Sequence, residues 1–205
     1  MQDPKSKVSS HYYVKKNGNL LNLVPDLYEA WHAGKSRWKN FESLNKNSIG
    51  IEITNPGHEY GYKSFTSKQI SSLKKLLKYL IKKYKINHKC ILGHSYISPD
   101  RKKDPGEKFP WRELAINKLA WWHNLDLKKI KKFRKIRLSS KKEEKSFTKN
   151  LHKIGYVKTT QKGSKKDHLI IIHREKNSKD DFEGILKILN EKVYGRSKIT
   201  FASFK

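Results

Sequence analysis

Residues 66 to 84, TSKQISSLKKLLKYLIKKY, constrain the architecture of this chain more than any other stretch. Ile70, Leu73, Leu76, Leu77, Leu80, Ile81 and Tyr84 recur at three- and four-residue intervals, the spacing that puts side chains on one face of an α-helix, and lysines fill the opposite face. Thr66 with Gln69 three residues on predicts a capping box at its start. A helix with one apolar face must cover something, and the flanking segments supply it. NSIGIEIT at 47–54 alternates, with Ile49, Ile51 and Ile53 on one face and Gly50 and Glu52 on the other. KCILGHS at 89–95 reads as a short buried strand. Strand, long helix, strand predicts the α/β class, with a mixed central sheet and flanking helices. Upstream, VSSHYYVKKNGNLLNLV at 8–24 reads as a β-hairpin turning at Asn17-Gly18.

The texture changes after FPWREL. Residues 1–120 are expected to form the α/β domain and 121–142, with KKIKKFRKIRLSSKK, a basic linker. Residues 143–205 are expected to form a small helical domain. Phe147, Leu151 and Ile154 make one stripe ending at Gly155, and Phe182, Ile185, Leu186, Leu189 and Val193 make another ending at Gly195. HLIIIHRE between them fits strand or helix.

The formal net charge of +28 makes an anionic partner plausible: nucleic acid, a phospholipid surface or an anionic wall polymer. Lysine greatly outnumbers arginine, however, and lysine, isoleucine and asparagine share A/T-rich codons, so the charge does not argue for specific nucleic-acid readout. One cysteine, Cys90, excludes an internal disulfide framework and a cysteine-rich zinc module. No apolar run approaches the roughly 18 residues that span a bilayer, and MQDPKSKVSS has no apolar core of a signal peptide.

The chemistry concentrates in GHSYISPDRKKDPG at 93–106. His94 falls where the predicted strand ends, and Asp104, ten residues on, is held by Pro105-Gly106. A histidine and a carboxylate brought together suit Zn²⁺ with a position left for water. Lys102 lies two residues before the aspartate, and Glu52 projects from a neighbouring strand where Gly50 leaves space. A metal, a carboxylate and an ammonium make a hydrolytic set: water activator, general base and oxyanion stabiliser. Each piece alone has a plainer reading. A loop histidine is usually structural or solvated, KKDPG is usually a turn, and Glu52 alone would sit on the exposed face of a half-covered strand.

In combination and order, VSSHYYV, LVPDLYEAWHAGKSRW, NSIGIEI and GHSYISPDRKKDPGEKFPW resemble the type-2 N-acetylmuramoyl-L-alanine amidases, the AmpD/AmiD class related to peptidoglycan recognition proteins. The resemblance covers residues 4 to about 114, and FTKNLHKIGYV resembles the first helix of a peptidoglycan-binding-type domain. It implies zinc ligands at His94 and Asp104, a catalytic glutamate at Glu52, a lysine assisting the tetrahedral intermediate at Lys102, and a substrate groove lined by Trp31 and His32. The implied reaction is hydrolysis of the amide between N-acetylmuramic acid and L-alanine, with peptidoglycan or muropeptides as partner and a monomer as the acting species. The implied place is the cell envelope or outside it if an upstream segment supplies an export signal, and the cytoplasm otherwise.

The chain departs from the family pattern twice. The family's first zinc ligand lies on a strand upstream of VSSHYYV, and Met1 stands only ten residues before His11. His11 aligns with a different family histidine and is expected to be a packed strand residue. Without that strand the metal would keep two protein ligands and the sheet would have an unpaired edge. Tyr96 stands where the family usually has aspartate, which puts a loop or substrate contact in question. Three readings therefore stand side by side: a zinc amidase, a non-catalytic or degenerate peptidoglycan-binding remnant, and, on charge alone, a basic nucleic-acid-associated protein.

Overall fold

A computed structural model describes residues 8–123, 125–126, 128–129 and 140–156 and the backbone of 198–201. The chain divides into two compact units. One comprises Met1–Arg37, Phe41–Trp122 and Val193–Lys205, and the other Trp38–Asn40 and His123–Lys192.

In the first unit the hairpin forms as its turn signal requires. Strands β1 (Tyr12–Val14) and β2 (Leu20–Asn22) pair antiparallel, Tyr12 opposite Asn22, and Gly18 takes the positive φ of 87° at the turn. Strand β3 (Ile49–Ile53) runs parallel to β1, with Tyr12 opposite Ile51 and Val14 opposite Ile53. Its other edge pairs antiparallel with β4 (Lys198–Phe201), Ile49 opposite Phe201, so the sheet order is β2-β1-β3-β4. The edge expected to be bare is therefore paired, and segment 198–201, expected in the helical domain, is a strand of the sheet. Unpaired N–H and C=O groups on a buried strand are costly, and KITF, with β-branched and aromatic residues, satisfies them.

Helix α1 (Ser67–Tyr84) begins at the expected capping box: Gln69 N–H donates to Thr66 Oγ1 at 3.1 Å and Thr66 N–H to Gln69 Oε1 at 2.9 Å. Gln69 is buried, and its amide donates to Thr54 O at 2.7 Å, tying the helix start to the end of β3. Leu73, Leu77 and Leu80 are buried with Val14, Ile51 and Ile53, and α1 packs against β1. Each such side chain contributes roughly 1.5–3 kcal/mol of transfer free energy.

The stretch 89–95 is not a strand. It forms a single turn of 3₁₀ helix at His88–Cys90, an unpaired buried run through Ile91 and Leu92, and the short helix α2 (His94–Ile97). Hydrophobicity located this run correctly, but burial comes here without a ladder. Helix α3 (Trp111–Ile116) follows. Tyr96 is buried and packs edge-to-face on Trp111, ring centroids 5.9 Å apart, which makes it a core residue. Nor is β3 half-covered: all five of its residues are buried.

In the second unit, helix α4 (Lys141–Ile154) starts on a capping box of Ser140 and Glu143, inside the last residues of the expected linker. Phe147, Leu151 and Tyr156 are buried there, and Tyr156 meets Trp38 edge-to-face at 5.1 Å. HLIIIHRE and the stripe from Phe182 to Val193 lie outside the described residues.

Candidate active site

His11 and His32 lie against Gly50 of β3, and His94 reaches the loop that carries His32. The loop leading from the hairpin brings Trp31 and His32. Trp31 N–H donates to Ser9 Oγ at 2.8 Å and Ser9 N–H to Trp31 O at 3.2 Å, while the Trp31 side chain stays exposed. His32 turns inward and lies over Gly50, so closely that a Cβ on Gly50 would sit 2.3 Å from His32 Cγ. Only glycine admits that ring at that position, and Glu52 stands two residues farther along the same strand, 8% exposed.

The His32 tautomer follows from its neighbours. Ser48 Oγ–H donates to Leu44 O at 2.6 Å, so it has no hydrogen for the imidazole, and His32 Nε2 donates to Ser48 O at 3.3 Å. Burial, then the His11 and His94 imidazoles, push the His32 pKa down to about 3. His32 is thus a neutral imidazole protonated at Nε2.

His11 is packed, as expected, but sits immediately before β1 rather than in it. Gly50 N–H donates to its Nδ1 at 3.0 Å, so Nε2 carries the hydrogen and donates to Tyr28 O at 3.0 Å. Both nitrogens are engaged with backbone, and neither is left to bind a metal.

His94 and Asp104 come together. His94 Nδ1 lies 3.3 Å from Asp104 Oδ2, with both side chains almost completely buried. Neither atom makes a hydrogen bond, although each is sealed from solvent. His94 Nε2 donates to Ala33 O at 3.1 Å, which leaves the lone pair on Nδ1. Ser95 N–H donates to Asp104 O at 3.0 Å, and Tyr62 Oη–H donates to Pro105 O at 2.8 Å, fixing the loop that presents the carboxylate. Two buried acceptor atoms at this separation repel unless a cation lies between them. Two ligands of a tetrahedral zinc centre, each about 2.0–2.1 Å from the metal, stand roughly 3.3 Å apart. The pair therefore fits a shared divalent cation. Among the described residues, no third His, Cys, Asp or Glu completes a metal-binding group with them.

Lys102 is half-buried on the segment between the two, its N–H donating to Ser98 O at 2.9 Å. Arg101, which sequence reasoning passed over, donates to Ala33 O at 3.0 Å and Lys35 O at 2.9 Å. The signal was an arginine in a lysine-rich loop, and its partners are main-chain carbonyls that no side-chain motif reveals. A cleft of about 170 Å³ opens beside Asp26, Tyr28 and Glu29, across from Lys46, Ser48 and Ile49.

The chain is 39% identical over 128 residues to the N-acetylmuramoyl-L-alanine amidase AmiD of Escherichia coli, covering 57% of this chain and 46% of that protein. It is 39% identical over 106 residues to the 1,6-anhydro-N-acetylmuramyl-L-alanine amidase AmpD of Haemophilus influenzae, covering 51% and 55%. It thus spans about half the length of the curated relatives it matches. Among solved structures, E. coli AmiD in complex with the substrate anhydro-N-acetylmuramic acid-L-Ala-D-gamma-Glu-L-Lys superposes with a TM-score of 0.63 at 32% identity, covering 76% of this chain and 65% of that one. AmpDh3 of Pseudomonas aeruginosa gives 0.69 at 25% identity, covering 90% and 81%. The family model for N-acetylmuramoyl-L-alanine amidase matches residues 1–107, a span that holds His32, Glu52, His94, Lys102 and Asp104. That match takes in both β3 and the His94–Asp104 pair, and this chain belongs to the N-acetylmuramoyl-L-alanine amidase family.

Proposed function

We propose that this protein is a zinc-dependent amidase that hydrolyses the bond between the lactyl group of N-acetylmuramic acid and L-alanine in peptidoglycan or its soluble fragments. The observation that carries the reading is the pair His94 Nδ1 and Asp104 Oδ2, buried, 3.3 Å apart and not bonded to each other. Zinc held by that pair would supply Lewis acidity, polarising the scissile carbonyl and making water acidic enough to deprotonate near neutral pH.

This chain's residues do the rest. Glu52, buried at the middle of the sheet, accepts the proton of the attacking water and returns it to the departing alanine nitrogen. Lys102 stands by the carbonyl oxygen and stabilises its charge as the tetrahedral centre forms. Neutral His32 flanks the reacting atoms without adding positive charge, and the exposed indole of Trp31 receives the sugar or stem peptide. The AmiD and AmpDh3 structures with bound muramyl peptides support this substrate class. The second unit, which holds α4, acts as a wall-binding module, and the protein works as a monomer. Among the described residues no helix is long and apolar enough to cross a membrane. We place the protein in the envelope if an export signal precedes it, and in the cytoplasm otherwise.

A second reading, a muropeptide-binding protein without turnover, draws on the ligand count: two among the described residues, where catalytic zinc centres take three from protein. One experiment separates them. Zinc content is measured after dialysis, and release of L-Ala-terminated peptide from a muropeptide is followed for the parent chain and for Glu52→Gln. The amidase reading expects hydrolysis by the parent, a loss of at least about 10²-fold in Glu52→Gln, and equal zinc in both. Muropeptide binding without hydrolysis by the parent selects the second reading.

A further inference from the structure

We propose that Arg101 is a positioning residue of the metal centre, acting on His94 through the carbonyl of Ala33. The inference rests on the reading of His94 and Asp104 as ligands. Ala33 O accepts two hydrogen bonds, one from His94 Nε2 at 3.1 Å and one from Arg101 Nη2 at 3.0 Å. A carbonyl has two lone pairs and no hydrogen, so both are used and His94 must carry its proton on Nε2. The tautomer that leaves Nδ1 free to face Asp104 is therefore set by where the Ala33 carbonyl points.

Arg101 decides where it points. The same Nη2 lies 2.9 Å from Lys35 O and 3.1 Å from Ser98 Oγ, and Ser98 Oγ–H donates to Lys35 O at 2.6 Å. With two hydrogens on Nη2 for three acceptors, one of these bonds is shared. Residues 33–35 are thus gripped by two side chains of the 98–101 turn, which lies between His94 and Asp104. From the other side, Ala33 N–H donates to Asn45 Oδ1 at 2.7 Å, so the residue on whose carbonyl His94 leans is held through both its C=O and its N–H. Gly34 takes a φ of 58°, turning the carbonyls of its neighbours toward the guanidinium, and a Cβ there would lie 3.2 Å from Nη2. The charge adds to the geometry, because a hydrogen bond from a guanidinium is stronger than one from a neutral donor. One turn thereby carries the ligand loop and the clamp that orients the ligand, and it ties both to the segment that begins with His32.

The test compares Arg101→Met, Arg101→Lys and Ser98→Ala with the parent in the full chain. Three quantities are read: zinc affinity by competition with a chromophoric chelator, the His94 tautomer from imidazole ¹⁵N shifts in metal-free protein, and the thermal midpoint without metal. Arg101→Met is expected to weaken zinc binding roughly 10–100-fold, the range for loss of a group that orients a metal ligand. It is also expected to mix the two neutral tautomers of His94. Arg101→Lys restores part of both, since it keeps a charged donor but not the fork. Ser98→Ala, which leaves the Ala33 bond in place, lowers the thermal midpoint and leaves the tautomer single. Parent-like zinc affinity and a single Nε2–H tautomer in Arg101→Met overturn the proposal. So does a loss of affinity in Ser98→Ala equal to that in Arg101→Met, which would make the effect one of loop stability. If the parent binds no zinc, the ligand reading fails on its own, and the tautomer comparison still decides the role of Arg101. If Arg101→Met does not fold, Arg101→Lys carries the same two readouts.

Discussion

The ring of His11 stands between two backbones, taking the N–H of Gly50 on Nδ1 and giving Nε2–H to the carbonyl of Tyr28, each at 3.0 Å. It joins the strand that holds Glu52 to the loop that delivers Trp31 and His32. His11→Ala removes both bonds and leaves the N–H of buried Gly50 unsatisfied, while the C=O of exposed Tyr28 turns to water. The expected cost is on the order of 1–3 kcal/mol by urea denaturation. Zinc affinity, normalised to the folded fraction, stays within threefold of the parent, because neither nitrogen of His11 is available to a metal. A tenfold fall in that affinity would return His11 to the ligand set.

Gly50→Ala tests how closely His32 must approach β3. The added methyl would meet the imidazole far inside contact distance, so the ring or the strand has to move. Destabilisation of about 1–3 kcal/mol is expected. Amidase turnover should fall along with it, because Glu52 shares the displaced strand. A variant as stable as the parent would show that the His32 ring swings away freely, and would remove the steric reason for glycine there.

Among the described residues, the acid limb of stability rests on two groups whose folded pKa values are depressed. Burial alone would push the Asp26 carboxyl up, but hydrogen bonds from Tyr84 at 2.6 Å, Tyr12 at 2.7 Å and Lys83 at 3.0 Å outweigh it and hold the carboxyl below its usual 3.8. The stability it lends is complete above that value and is lost as pH falls through its folded pKa. His32, lowered from 6.5 to about 3 by burial, contributes fully above 6.5 and progressively less from there toward pH 3. The unfolded chain binds one more proton in that window, so this one group costs at most about 1.4 kcal/mol per pH unit. Metal-free protein should therefore weaken steadily from pH 6.5 to 4 and more steeply below. In Asp26→Asn the steeper part disappears while the His32 slope stays, at a cost of roughly 1–3 kcal/mol at pH 7. Stability that rises from pH 6.5 to 4 would refute the assignment to His32.

Lys102→Ala addresses the oxyanion role. Losing a group whose charge is needed only as the tetrahedral centre forms lowers kcat about 10²–10³-fold and changes KM little. The measurement is steady-state hydrolysis of a muropeptide. A raised KM with unchanged kcat would assign Lys102 to ground-state binding instead.

Much of this was legible in the sequence because periodicity and local chemistry agree with the tertiary result. The capping box at Thr66, the leucine stripe of α1 and the Asn17-Gly18 turn each depend on neighbours a few residues away. The pairing of His94 with Asp104 could be anticipated from one loop. KCILGHS was misread because a buried apolar run looks the same whether or not another strand lies beside it. The edge of β3 was misread because its partner, 198–201, lies far along the chain and has no local signature. The engagement of both nitrogens of His11, and of Arg101 with Ala33, could not be read at all. Their partners are main-chain atoms, identical at every position, and only the fold says which of them comes near.

Trp31 presents its ring to solvent, while its main chain is fastened to Ser9 through both its N–H and its C=O. A loop that must freeze when a ligand arrives gives up roughly 1–2 kcal/mol for each backbone residue it orders. Two backbone bonds to Ser9 already hold this residue, so under the proposed function a saccharide or peptide face would meet an indole on an anchored main chain. Affinity at such a point depends on the fit of the two surfaces alone, and association should be fast, with no slow rearrangement following first contact.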